Sequence, residues 1–250
     1  MAIVVLNAGA GLANWGAGLW PLRPTLRQSR HPLRSGSHVH MTAAAQKKAA
    51  QKKAAQKKPA DAARSGSSYV ALLRGINVGG RNPIRMPELV ACFGDAGFGN
   101  VSTYLQSGNV LFSADHRKAP KLEAEVEAML EERFGTPLLV VIRSRDELAQ
   151  TVNAAPADHG SPKLRSDIFF LKHPLTSEEA LAAMPELREG VDSVAPGPGA
   201  IYFSRVAAKA TKTRIQKFMG MPIFQQMTVR TWRTSIRLLE KLDAADTARN

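Results

Sequence analysis

An arginine, two asparagines and a set of glycines crowd into one short run, ALLRGINVGGRNPIRM, at residues 71–86. Glycine lets backbone N–H groups come close to a ligand, and a guanidinium presents a planar fork of donors to a carboxylate or phosphate. Arg74, Gly75, Asn77, Gly79 and Gly80 are therefore candidates for holding an anion. A second segment of the same character follows at Gln106, Ser107, Gly108 and Asn109. The glycine spacing matches neither G-x-x-x-x-G-K-[ST] nor G-x-G-x-x-G, so no nucleotide fingerprint is present. The same residue types also serve left-handed turns and cap strands. Ligand site and well-satisfied turn are both open readings of these residues.

The elements around the two segments decide where they lie. YVALLR (69–74) has the β-branched and aromatic content of a strand. Pro87 fits the first turn of a helix running to Ala96, ended by Gly97. VSTYLQ (101–106) and NVLFS (109–113) alternate as strands about a tight Ser-Gly turn. Pro120 opens a helix with Leu122, Val126, Met129, Leu130 and Phe134 on one stripe, stopped by Gly135. LLVVI (138–142) is a buried strand. The order is β-α-β-β-α-β, the split-βαβ or ferredoxin-like unit.

After a connecting helix opened by the capping box of Ser144 and Glu147, the order recurs. DIFFL (167–171) is a strand, and Thr176 with Glu179 starts a helix through Met184. VDSVAP (191–196) and AIYFSR (200–205) form a hairpin about Gly-Pro-Gly. A short helix covers 212–219, QMTVR (226–230) is a strand, and a last helix follows Thr231. On that helix Trp232, Ile236, Leu239 and Leu242 make a stripe facing the sheet. The expected fold is α+β: two ferredoxin-like halves in tandem, residues 69–143 and 144–250, behind a disordered basic tail at 1–68. No repeat shows in the residues themselves, so the duplication rests on element order alone.

In such a unit the first and second strands run the same way, because one helix returns the chain between them. The loop after the first strand and the turn after the second then lie at one end of the sheet. This brings Arg74, Asn77, Gly79, Gly80 and Arg81 near Gln106, Ser107, Gly108 and Asn109.

The formal net charge is +13 over 250 residues, but it is not evenly spread. Residues 1–68 hold eleven Lys/Arg and one acid, Asp61, whereas 69–250 hold 23 Lys/Arg and 20 Asp/Glu. The three AAQKK repeats at 44–58 turn their lysines around a helix axis instead of onto one face, so this tail has nothing to bury. It can touch nucleic acid only by neutralising phosphates, without sequence specificity. The apolar stretch at 1–22 is broken by Asn7, Asn14, glycines and Pro21, which argues against a membrane span; Arg23, Arg27, Arg30 and Arg34 then follow without an acid, as in a transit peptide, and a start at Met41 is the favoured of the two open readings. The single cysteine, Cys92, excludes an internal disulfide and reads as a buried thiol in a reducing cytoplasm.

The stretch ALLRGINVGGRNPIRMPELVACFGDAGFGNVSTYLQSGNVLF closely resembles the start of the bacterial family called domain of unknown function 1697. TVRTWRTSIRLLEKL is similar to that family's Arg-Asn-Trp-Asn-Thr type ending. The likeness spans about residues 69–242. It implies two ferredoxin-like halves and no established activity. Arg74, Gly75, Asn77, Gly79 and Gly80 match its first motif, and Gln106, Ser107, Gly108 and Asn109 its second. Arg230, Trp232 and Thr234 match the third, a possible second binding motif. Thr231 and Arg233 stand where asparagines are usual, although Thr231 can still cap the final helix.

Three functional classes compete. The leading expectation is a binding module for a small anionic or nucleotide-like ligand at the first rim. A nucleic-acid binder would need exposed rings on the sheet, and alternation points to burial for most of Tyr104, Phe112, Tyr202 and Phe203. An enzyme would need a nucleophile and base, but His116, His159 and His173 are isolated and fit surface or turn positions. Glu123 and Glu127 read as a solvated helix face. No metal-ligand spacing and no cofactor motif is found, and the oligomeric state is not legible.

Overall fold

A computed structural model of the chain describes residues 66–79 and 82–249. Residues 1–65 of the basic tail, Gly80 and Arg81 lie outside the described residues, whereas Ser67 and Ser68, expected in the disordered tail, open β1 and pair with Ala114 and Ser113. The elements are β1 (Ser67–Leu73), α1 (Met86–Asp95), β2 (Gly99–Thr103), β3 (Asn109–Ala114), α2 (Ala119–Phe134), β4 (Val140–Ser144) and α3 (Arg145–Asn153). They continue as β5 (Leu164–Leu171), α4 (Ser177–Ala182), β6 (Asp192–Gly197), β7 (Ala200–Val206), α5 (Ile215–Met219), β8 (Met227–Thr231) and α6 (Trp232–Thr247). Two 3-10 turns, Ala207–Lys212 and Pro222–Gln226, flank α5. The fold is α+β, with two four-stranded antiparallel sheets ordered β2-β3-β1-β4 and β6-β7-β5-β8.

The local signals act as expected at most boundaries. Gly135 ends α2 in the left-handed region, and the capping boxes of Ser144 with Glu147 and Thr176 with Glu179 are both formed. Thr231 caps α6 by accepting from the Thr234 N–H. Two details differ. The α4 helix ends at Ala182 rather than Met184, just ahead of Pro185, which disfavours helical backbone in the residue before it. The β2–β3 connection is wider than a two-residue turn: β2 stops at Thr103 and β3 begins at Asn109, with Leu105 and Gly108 both left-handed.

The central strands are buried on both faces, so their side chains split alternately between two apolar clusters. From β1, Tyr69, Ala71 and Leu73 pack with Leu89 and Phe93 of α1 and Leu122, Val126 and Leu130 of α2. From β5, Phe169 and Leu171 pack with Ile215 and Phe218 of α5. The remaining faces share one cluster, in which Val70, Leu72 and Val141 of the first sheet meet Ile168, Phe170 and Tyr202 of the second. Leu148 of α3 and Leu238 and Leu242 of α6 complete it. The buried stripe of α6 is thus Ser235, Leu238 and Leu242, with Trp232 and Leu239 at its edge.

Glu123 and Glu127 are not a solvated face. Glu123 is buried and accepts the Ile142 N–H at 3.0 Å, while Glu127 accepts the Val140 N–H at 2.9 Å. One helical turn apart on α2, they match alternate outward N–H groups of the edge strand β4 and satisfy donors that would otherwise invite another strand.

Because the two sheets share a core, the described residues should unfold together. Phe170→Ala is expected to cost about 3–5 kcal/mol, with urea transitions by far-UV circular dichroism and near-UV absorbance remaining coincident. Two separated transitions would show that each sheet folds on its own.

Candidate functional site

The two polar segments do meet at one rim. Both β1 and β2 pair antiparallel to β3, so their C-terminal ends point the same way. The Leu73 N–H donates to the Gly108 carbonyl at 2.8 Å, and Asn77 Nδ2 donates to the Gln106 carbonyl at 2.9 Å. Most of the chemistry gathered there is spent internally. Asn77 also donates to the Ile84 carbonyl and accepts the Ile84 N–H, which pins the loop across seven residues. The loop takes left-handed backbone at Gly75, Asn77, Gly79 and Asn82, conformations that glycine and asparagine reach most cheaply. Asn109 is fully buried, donates to the Tyr104 carbonyl at 2.7 Å and to Ser107 Oγ at 3.2 Å, and holds the wide turn closed.

Arg230 joins this rim from β8. Its Nε donates to Asn109 Oδ1 at 2.5 Å, and its Nη2 donates to the carbonyls of Leu73, Ser107 and Gly108 at 2.8, 3.1 and 3.1 Å. Nη1 donates to Thr228 Oγ1 and the Val229 carbonyl. Among the described residues no carboxylate pairs with it, and burial pulls its pKa well below the ordinary arginine value, to about 10. Gly108 is required where these groups converge: a Cβ there would sit 2.8 Å from Leu73 Cβ, on a left-handed backbone.

Arg74 turns away from the 106–109 turn, toward the second sheet. Its Nη1 donates to the Met227 carbonyl at 2.5 Å, Nη2 to Gln225 Oε1 at 3.3 Å, and the guanidinium lies 4.6 Å from the Phe224 ring centroid. It is half-buried, its pKa is lowered by that burial, and it too has no carboxylate partner among the described residues. Gly75, Gly79, Gln106 and Ser107 are exposed, with the apolar side chains of Val78 and Leu105 beside them. The third motif is not a single site. Arg230 is buried in the rim, Thr234 serves the α6 cap, and Trp232 packs half-buried against the shared core.

The opposite end of the exchange mirrors this arrangement. Arg143 of β4 donates to the carbonyls of Leu171 and Gly199 in the second sheet, at 2.5 and 2.8 Å. Lys172 stands to Val140 as Arg74 stands to Met227, donating to its carbonyl at 3.3 Å. Here carboxylates are present: Glu123 lies 3.7 Å from Arg143 and 3.2 Å from His173, and Glu127 lies 2.7 Å from Lys172. An open cavity of about 550 Å³ sits at this rim between the 173–178 loop and the Pro196–Gly199 turn.

Sequence reasoning missed one polar cluster. His159 lies in a turn but is buried, with Nδ1 3.0 Å from Ser204 Oγ, which is 2.9 Å from Ser166 Oγ. Ser166 also accepts the Gly160 N–H at 3.0 Å. The expected strand at 200–205 includes Ser204, and the one at 167–171 begins just after Ser166, but no local signal links either serine to a histidine from the preceding loop.

Two predictions follow from these geometries. Arg230→Met should strand the Asn109 amide oxygen and the Leu73 and Ser107 carbonyls, while Gly108 keeps the Leu73 N–H, and destabilise by about 3–5 kcal/mol in urea unfolding. Arg230→Lys, lacking the planar fork, should recover only part of that; a near-neutral methionine variant would refute the anchoring role. Burial also holds the His159 pKa below its ordinary value of 6.5. The unfolded chain then binds the extra proton first, so stability is full above that value and is lost as pH falls through and below it. His159→Gln should flatten the wild-type decline in melting temperature between pH 7 and 5, and an unchanged slope would count against it.

No curated protein matches the chain significantly. Among solved structures it is similar to the conserved bacterial protein SP0830 from Streptococcus pneumoniae, at 24% identity and a TM-score of 0.65, covering 71% of this chain and 99% of that one. That likeness concerns the fold. The model of the family described as protein of unknown function (DUF1697) matches residues 67–202, which include the first and second motifs and stop short of Arg230. The rim that gives the described structure its most densely bonded junction is thus built largely from the matched stretch, and the chain belongs to the DUF1697 family.

Proposed function

We propose that the protein is a binding module for a small anionic or nucleotide-like ligand at the first rim. The observation that carries this is a pair of guanidinium groups beside the end of β1, Arg230 reaching into the 106–109 turn and Arg74 facing the second sheet, with no carboxylate partner among the described residues. Uncompensated positive charge beside low-dielectric protein raises the local concentration of anions. Arg230 supplies the fixed field from within, and Arg74, half-exposed, is the group that can reach a ligand. Gly75, Gly79, Gln106 and Ser107 line the accessible side, with Gly80 in the same loop; Asn77, Gly108 and Asn109 hold its shape.

In this reading each half is a ferredoxin-like unit, residues 69–143 and 144–250. Support comes from the element order and from the same strand order, second-third-first-fourth, in both sheets. The basic tail, ending before β1 begins at Ser67, would hold nucleic acid through phosphate contacts alone. A cytoplasmic setting suits the free, buried Cys92. Among the described residues, no helix is long and apolar enough to cross a membrane.

The test is a thermal-shift titration of the full chain with inorganic phosphate, pyrophosphate and ATP. At least one is expected to raise the melting temperature, by the equivalent of about 2.7 kcal/mol at one hundred times its Kd. Arg74→Ala should cost on the order of 1 kcal/mol of stability and abolish the shift. A flat response to all three anions, or an undiminished shift in Arg74→Ala, would remove the rim from consideration.

A further inference from the structure

A cavity of about 380 Å³ opens between Tyr104, in the β2–β3 connection, and the first turns of α6. Its wall is made by Tyr104, Trp232, Arg233, Ile236, Arg237 and Glu240. We propose that this cavity binds a planar aromatic molecule carrying an anionic group, of the mononucleotide class. The inference does not rest on the rim reading, since neither Arg74 nor Arg230 lines the cavity.

Three observations support it. First, Trp232 is half-buried and held in place. The His159 ring meets it at 5.0 Å with an interplanar angle of 88°, and Gly160, at φ +86°, lies so close to the indole that a Cβ would collide with it. A large ring held by its neighbours at the border of a cavity is a preorganised stacking platform, and Tyr104, also half-buried, lines that cavity with Gly160.

Second, the charge around the rings is positive. Arg237 is occupied by Glu240 at 2.6 Å, whereas Arg233 is exposed and makes no hydrogen bond or ion pair among the described residues. Lys241 Nζ adds a third cation, 5.3 Å from the Tyr104 ring centroid. A flat ring suits the aromatic pair, and its anionic substituent suits the free Arg233 fork. Third, the volume falls in the range of small-ligand sites, where apolar walls and a few polar groups set orientation.

Trp232 reports on the cavity directly. The chain has three tryptophans, so Trp15→Phe with Trp20→Phe leaves Trp232 as the sole indole of the full chain. This protein is titrated with AMP, and in separate arms with adenosine and with inorganic phosphate. AMP is expected to quench the fluorescence saturably, with adenosine and phosphate each at least about tenfold weaker. Tyr104→Ala should weaken AMP by about tenfold, Arg233→Ala should do the same at an unchanged melting temperature, and Arg74→Ala should leave AMP binding untouched. Absence of saturable quenching by AMP, or full affinity in Arg233→Ala, would overturn the assignment. Phosphate binding as tightly as AMP and lost in Arg74→Ala would overturn it too, while leaving the rim reading intact.

Discussion

A guanidinium buried without a carboxylate is tolerable only if its donors all find oxygen, and Arg230 imposes that condition on everything near it. Water is excluded, so the positive charge must be solvated by protein dipoles, and six hydrogen bonds do this. Four of the acceptors belong to the first sheet, at the end of β1 and in the β2–β3 turn. The width of that turn, the burial of Asn109 and the lack of a side chain at Gly108 all follow from the need to aim these oxygens at one point. The relation between the sheets is set there as much as by the apolar cluster they share. Hydrophobic packing is tolerant of small slides, but a fork of donors on fixed carbonyls is not.

The same device runs in both directions. The last strand of each sheet sends an arginine, Arg143 or Arg230, to the carbonyls at the end of the other sheet's first strand and in its hairpin turn. The residue after each first strand, Arg74 or Lys172, returns a hydrogen bond to the start of the other sheet's last strand. This reciprocity ties the halves more closely than element order alone suggests. The two junctions then diverge in charge. Glu123 and Glu127 neutralise the cations around Arg143, whereas those around Arg230 stay unpaired among the described residues. Asymmetry of charge on a symmetric frame is what the proposed anion-binding reading of the first rim rests on.

The hydrogen bonds at the rim also separate scaffold from accessible surface. Most of the polar groups that could have been ligand donors are the rim's own scaffold: Asn77 and Asn109 have their amides engaged on both sides. The accessible chemistry is narrower, consisting of one half-exposed guanidinium, exposed backbone and a few small polar side chains. Rigid support beneath a small reactive surface is the usual division of labour in binding sites, because positions held loosely lose affinity to disorder.

By itself the sequence determined the order of elements, because those signals are local. β-Branched and aromatic content marked β1, alternation marked β2 and β3, proline and glycine bounded α1 and α2, and two capping boxes opened α3 and α4. It also separated the charged tail from the nearly balanced remainder and brought the two polar segments to one rim through strand direction. What it left open was which polar groups are spent. Arg230 and Asn109 stand 121 positions apart, and nothing near either one encodes the other. His159 meets Ser204 across 45 positions, and Glu123 and Glu127 look like any charged helix face until β4 is laid beside them. Whether a polar side chain is a ligand donor or an internal strut depends on which oxygens and nitrogens fold against it. Those distances exist only once the sheets have packed.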